Sequence, residues 1–430
     1  MNYLINTKIS LFFIYSIPVL LILGPALPDI IITGFSFYIF SLIIYNIYKK
    51  IFFLDIYLKI LLLVFCIILI TTFFSNYFYH SFLEYIVDIR YFLFCYFIIF
   101  FFNVKKLKYF LYLLFFISIF LQFDLWFQYF IGYDIFGNVP NMQGRQRLNG
   151  PFGDKYVIGS YITKISLPVI GYFFYKNKSL YLNFNIKNIL TYLFPIFSIL
   201  AVLFSGERMA LILFFLGFIL ILIFLNKLKI LIMYIFIFVI LFFISINYST
   251  NVKFKYYEFI YKLGFDQKLE IAENVNVSEK NFVSLKKNNS FFDEGHGAHF
   301  KVAFHIFKNN ILFGSGFKTF RYECKKPIYD ITNLNSKIRC STHPHNIYME
   351  ALSDTGLVGF LTILFFFLFI ILKIIQTSQF KNEMCGFVCL FIVLIWPISS
   401  IGNFFNNWNA ILNLLFIGII LSYSKYQKEN

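Results

Sequence analysis

Apolar residues in this chain fall in long runs rather than in an alternation with polar ones. Runs of roughly 17 to 20 apolar residues, enough to cross ~30 Å of hydrocarbon as a helix, recur about twelve times. They occupy approximately 8–24, 30–48, 57–74, 86–102, 108–131, 156–175, 189–204, 209–226, 229–246, 357–373, 384–401 and 410–424. The pattern predicts an all-α polytopic membrane protein with short connections over residues 1–246, a loop over 247–355, and a last group of three spans with a tail over 356–430. The long loop is too apolar and patterned for a plain linker: a helix is predicted over Phe300–Phe307, broken by Asn309-Asn310 and Gly314-Ser315-Gly316. It reads as a lid of short helices on the membrane face. The first run has no clear small-residue cleavage site and reads as a first span.

Charge gives the runs a direction. Lysines gather in alternate connections, at Lys8, Lys49, Lys50, Lys59, Lys105, Lys106, Lys108, Lys176, Lys178, Lys187, Lys227, Lys229, Lys373, Lys381, Lys425 and Lys428. By the positive-inside rule these connections and both termini are cytoplasmic. The connections at 24–29, 75–88 and 402–409 hold neither lysine nor arginine and read as outside. All six arginines, Arg90, Arg145, Arg147, Arg208, Arg321 and Arg339, then fall on or near the outer side. Because a guanidinium grips phosphate or carboxylate at two points, the set points to anion binding more than to pairing with loop acids or headgroups.

Composition excludes a water-soluble globule: 60% of positions are hydrophobic and 13% charged, against a usual charged share of about 25%. The net charge of +16 is scattered between apolar runs rather than gathered into a stripe, so it speaks for topology and against nucleic acid. The 64 Phe and 31 Tyr accompany heavy Ile, Asn and Lys usage that an AT-rich coding bias also produces, so they say little about sugar binding. Cys66, Cys95, Cys385 and Cys389 fall within spans as small apolar residues. Cys324 and Cys340 share the long loop, where an oxidising compartment favours a bridge over two buried thiols.

The densest chemistry is the segment from Thr342 to Gly359, with His343, His345, Asn346, Glu350 and Asp354 directly ahead of an apolar run. Residues 346–355 read as about three helical turns, ended by Gly356. His345 then stands at a helix N-terminus, whose dipole favours neutral imidazole, the proton-accepting form. It is the candidate general base, the alternative being that the histidines only cap the helix. A metal pair with His343 lacks a third ligand spaced nearby, so no metal and no cofactor are expected. Arg145, Arg147 and Lys155 form a cationic mouth around Gly144, Gly150 and Gly153; Ser205-Gly206-Glu207-Arg208 is a short turn fixing Arg208 at the surface. Lys164, about nine residues into an apolar run, reads as lining a cavity. Together these cations suit a lipid-linked diphosphate at the membrane surface.

The segment resembles the signature of the bacterial O-antigen ligase and polymerase superfamily: His, then Asn/Ser/Gln, nine residues, Gly, two residues, and Gly/Thr/Tyr. His345, Asn346, Gly356 and Gly359 meet it. The Arg147–Phe152 and Ser205–Arg208 stretches look like the family's earlier arginine sites. The resemblance implies an inner-membrane glycosyltransferase with its active site on the periplasmic side. Such an enzyme moves a glycan from undecaprenyl diphosphate to an acceptor hydroxyl, that of lipid A-core first. By the same resemblance His345 is the base and Arg208 a diphosphate ligand, with Arg147, Arg145 and Lys164 beside it. Asp354 stands where many relatives carry glutamate. Ligases also carry a late-loop arginine ahead of the histidine; here that region offers His296, His299 and Lys301, and His299 and Arg321 compete for the role, with Arg90 a more distant candidate. Polymerase and protein O-oligosaccharyltransferase activities remain alternatives within the family, and a lipid-linked-sugar flippase outside it.

Overall fold

The computed structural model describes residues 7–48, 55–140, 147–177, 186–249, 252–253, 256, 295–330, 339–399 and 402–429. Arg145 lies outside them, as does most of the first half of the long loop. Among the described residues every regular element is helical: α1 (Thr7–Leu23), α2 (Ala26–Tyr48), α3 (Ile56–Thr72), α4 (Phe78–Val87), α5 (Ile89–Phe101), α6 (Leu107–Ile131), α7 (Ile158–Lys176), α8 (Ile186–Phe204), α9 (Arg208–Phe224), α10 (Leu228–Tyr248), α11 (Gly295–Asn309), α12 (Phe320–Glu323), α13 (Ile347–Gln376), α14 (Cys385–Leu394) and α15 (Asn407–Glu429). Five stretches, Ala26–Asn46, Val104–Ile131, Leu228–Tyr248, Ile347–Gln376 and Asn407–Lys428, are long and apolar enough to cross a membrane, and five shorter apolar helices accompany them.

One predicted span and one predicted connection come out differently. The run over 384–401 forms only the ten-residue α14, about 15 Å long at a helical rise, because Pro397 lacks the N–H that a further turn would use. The run over 86–102 becomes α5, and the outside connection predicted over 75–88 is largely the separate helix α4, the two meeting at Asp88, whose carboxylate accepts from Lys318 Nζ at 3.2 Å.

Helix α7 packs on α6, α8, α9 and α14, while α5 lies between α2 and α15. Burial separates centre from rim. In Asn407–Lys428, 83% of the apolar window is covered by protein, whereas in Leu228–Tyr248 only 17% is, and Ile232, Phe236 and Phe243 point outward. A helix apolar on all faces yet uncovered needs lipid around it.

Two of the six arginines belong to this framework rather than to a ligand. Arg90 grips Asp29 with Nε to Oδ1 at 3.0 Å and Nη2 to Oδ2 at 3.3 Å, tying α5 to α2. Buried Arg339 donates from Nε to the Cys324 carbonyl at 3.1 Å and pairs with Asp330 at 2.6 Å, holding the chain after α12. Their partners lie far off in sequence or on the backbone, so an anion-binding reading of all six could not be sorted from the residues alone. Cys324 and Cys340 are joined by a disulfide with Cα atoms 5.5 Å apart, which anchors the same segment.

Candidate active site

The start of α13 is built by Asn346. Its Oδ1 accepts from the backbone N–H of Tyr348 at 3.0 Å and Met349 at 3.1 Å, capping the helix. Its Nδ2 donates to the carbonyls of Pro397 at 2.8 Å and Ser399 at 3.1 Å, so the cap is also bolted to the chain after α14. One turn on, buried Glu350 accepts from Asn403 Nδ2 of that same connection. His345 immediately precedes the cap with a φ of 63°, a left-handed conformation that a residue with a Cβ adopts only at a cost. Pro344 before it and the doubly bonded Asn346 after it hold the backbone there.

That backbone directs His345 into a group of four imidazoles. Its ring centroid lies 4.1 Å from His343, 4.4 Å from His296 and 5.4 Å from His299, the last two carried one turn apart on α11. Burial, then the neighbouring His343, lowers the His345 pKa to about 3; burial, then His299 and Arg321, lowers that of His343 to about 4. Both rings are neutral at ordinary pH. His343 receives one contact at Nδ1, from the Thr342 hydroxyl at 2.9 Å, while its Nε2 is buried with no hydrogen-bond partner among the described residues. Ligand atoms of His296, His299 and His345 lie within 4.8 Å of one another. The expectation of no metal rests on the lack of a third ligand near His343 in sequence; the fold supplies two imidazoles from a helix some fifty residues upstream, so that ground falls away.

Gly356 and Gly359 shape the middle of α13. Gly356 has φ 64° and ψ −162°, a conformation essentially reserved for glycine, and it breaks the helix. The 311–316 segment takes up the backbone groups left by the break: Leu357 N–H donates to the Ile311 carbonyl at 2.8 Å, Ser315 N–H to the Ser353 carbonyl at 2.9 Å, and Gly316 N–H to the Asp354 carbonyl at 2.8 Å. A Cβ at Gly356 would meet Gly314 N and Leu312 O at 2.5 Å, and one at Gly359 would meet the Thr355 side chain. Asp354 Oδ2 accepts from Lys318 N–H at 3.0 Å and so fixes the approach to α12. Arg321 sits on α12, close enough to act electrostatically on His343, Glu350 and Asp354, with its Nε buried and without a hydrogen-bond partner among the described residues. Of the two late-loop candidates, then, both reach the histidine group: His299 beside His345, and Arg321 beside His343.

The earlier cations gather elsewhere. Gln128 fixes the loop ahead of α7, accepting from Gly150 N–H at 2.9 Å and donating to Asn149 Oδ1 at 2.6 Å, with Arg147 two residues before Asn149. Glu207 does not simply neutralise Arg208: its carboxylate caps α7, accepting from Gly159 N–H at 2.6 Å and Ser160 N–H at 3.2 Å. Arg147, Arg208 and Glu207 all act on the buried Tyr256 hydroxyl, and Glu207 on Lys164. Lys164 Nζ donates to Asn409 Oδ1 at 2.9 Å, and Asn409 Nδ2 donates to the Asn403 carbonyl at 3.0 Å. Asn403 is the residue that holds Glu350, so hydrogen bonds run from Lys164 to the His345 helix, and Glu207 acts on Lys164 electrostatically from the Arg147–Arg208 side. Sequence reasoning misses Asn403 and Asn409 as site residues, and it notes Glu350 without giving it a role. A signal for them exists, since four asparagines crowd 403–409 between two apolar runs.

Residues 193–364 match the model of the family described as O-Antigen ligase. Over those residues the chain is similar to the O-antigen ligase family. The match covers less than half of the chain, yet it takes in Arg208, the α11 histidines, Arg321 and the whole His345–Gly359 segment, while Arg147 and Lys164 fall before it. No curated protein matches the chain. The O-antigen ligase match over residues 193–364 and the apolar helices together point to a multi-pass membrane protein.

Proposed function

We propose that the protein is an inner-membrane glycosyltransferase that moves a glycan from undecaprenyl diphosphate to an acceptor hydroxyl on the periplasmic side, lipid A-core being the first acceptor to try. The observation that carries the reading is His345: a neutral imidazole, held in a left-handed backbone directly before the cap of a helix and beside His343, on which Arg321 acts. In this reading its ring takes the acceptor proton as the hydroxyl oxygen attacks the anomeric carbon. The sugar–oxygen bond breaks and the electron pair leaves on undecaprenyl diphosphate. Arg208 and Arg147, with Arg145 and Lys164, hold that diphosphate and stabilise its growing charge, the contribution usually largest in such transfers. Arg321 or His299 covers the side where ligases carry their late-loop arginine.

A ring held near 3 is a weak base for a reaction at neutral pH. An incoming diphosphate would oppose this, because a nearby anion raises an imidazole pKa. The base would then become effective only when donor is present. About twelve spans with both termini cytoplasmic complete the proposed arrangement.

Reconstitution in liposomes tests it: purified protein, undecaprenyl-diphosphate-linked glycan, and either lipid A-core, a second lipid-linked glycan or a protein acceptor. Transfer to lipid A-core is expected. Chain extension of the lipid-linked glycan instead would assign a polymerase, and movement of donor across the bilayer with no product would assign a flippase.

A further inference from the structure

Of the α11 histidines only His299 is offered a part in the proposed transfer, as an alternative to Arg321, and the helix that carries both is remote in sequence from His345. His296 stands exposed in the first turn of α11; His299 comes at i+3, on the same helical face and buried; His345 comes from the loop ahead of α13. Their candidate ligand atoms lie within 4.8 Å of one another. Three imidazole nitrogens around a tetrahedral zinc ion at about 2.0–2.1 Å would stand roughly 3.3 Å apart. Of the three rings His296 has the room to move toward that spacing, being exposed where His299 is buried. Lys301 and Arg321 are the cations in this region, and no carboxylate belongs to the triad. An all-imidazole donor set suits zinc, copper or nickel and not magnesium or calcium, which require oxygen.

We propose that His296, His299 and His345 form a binding site for a divalent transition ion of the zinc class, with the fourth position open. An ion there occupies one ring nitrogen of His345 and leaves the other as an N–H, so the ring has no lone pair to accept a proton. Metal occupancy and transfer are then mutually exclusive, and zinc acts as a reversible inhibitor. This second statement rests on the proposed role of His345; the binding site itself does not.

The test uses tag-free, full-length protein in detergent or nanodiscs, stripped with chelator and titrated with Co²⁺. One ion per chain is expected, with the visible absorption of tetrahedral nitrogen-ligated cobalt, displaced by Zn²⁺ and not by Mg²⁺. His296→Ala should weaken binding by at least about tenfold, as loss of even an outlying ligand contact does. His305→Ala, a histidine of the same helix outside the triad, should bind as the native chain does and guards against misfolding. Native protein that binds no cobalt, or binds equally after His296→Ala, overturns the site. In the transfer assay zinc should stop the native protein and spare His296→Ala. Cobalt bound at the triad with transfer undiminished would overturn the exclusion, and with it the role of His345, while leaving the site standing.

Discussion

Lys164 on α7 donates to Asn409 at the head of α15 across 2.9 Å, and this bond ties α7 to the path that ends on the His345 helix. Beyond Asn409 the path continues through the Asn403 carbonyl and the Asn403 amide to Glu350 on α13. Removing the acceptor leaves an ammonium in an apolar helix with its hydrogen bond lost. Asn409→Leu should therefore destabilise the protein by about 1–3 kcal/mol, the usual cost of an orphaned buried polar group. The double variant Lys164→Met with Asn409→Leu should recover the part of that loss due to the orphaned ammonium, while the Asn403 carbonyl stays without its Asn409 donor in both. Thermal unfolding in detergent checks it, and equal losses for the single and double variants would show that the bond carries no coupling.

Gly356 is the second point where the fold is committed. Alanine there must adopt φ 64° with ψ −162° and place its Cβ against Leu312 O and Gly314 N. A cost on the order of 1–3 kcal/mol is expected from the backbone alone, with the contact adding to it. Gly356→Ala should unfold at lower temperature, and proteolysis should find the 311–316 segment first. Native stability would mean that the break in α13 is dispensable.

Asn346 has two separable duties. Asn346→Ser keeps an oxygen to cap α13 but loses the donors to Pro397 and Ser399 carbonyls. Asn346→Ala loses both and should cost about 1 kcal/mol more in stability than serine does. Transfer should fall in the order native, Ser, Ala, since His345 is held by the residue next to it. Thermal melts and initial rates, compared across the three proteins, decide the order.

How much of this was legible in the chain depends on whether the interaction is local. The helix start beside His345 and Gly356 as a break follow from residues within one helix, and the sequence pattern places both, though it gave capping to the histidines where Asn346 does it. The apolar runs likewise locate most helices; they miss that Pro397 cuts α14 short and that α4 forms within the connection read over 75–88. What the pattern could not show is tertiary: that Asp29 engages Arg90, that Glu207 caps α7 rather than pairing with Arg208 alone, and that α11 brings His296 and His299 to His345. No spacing rule connects residues so far apart.

The lowered pKa values of His343 and His345 fix a pH dependence for chelator-treated protein. The unfolded rings bind a proton near 6.5, whereas the folded ones do so only near 4 and 3. Between those limits the unfolded state holds more protons, so stability from these rings declines as pH falls from about 6.5 toward 3. The acid limb of kcat/KM, which reports the free enzyme, should lie well below pH 6.5. A limb centred at 6.5 would show that His345 titrates as an exposed imidazole does.

The most direct measurement is the single-turnover rate of glycan transfer in liposomes for native protein, His345→Ala and Arg208→Ala, each with saturating donor and acceptor. Removing the base should slow the His345→Ala reaction by about 10²–10⁴-fold with donor still bound, while Arg208→Ala should weaken donor binding as well as slow the step. A His345→Ala protein that folds as the native one does and transfers at the native rate would rule out His345 as the base.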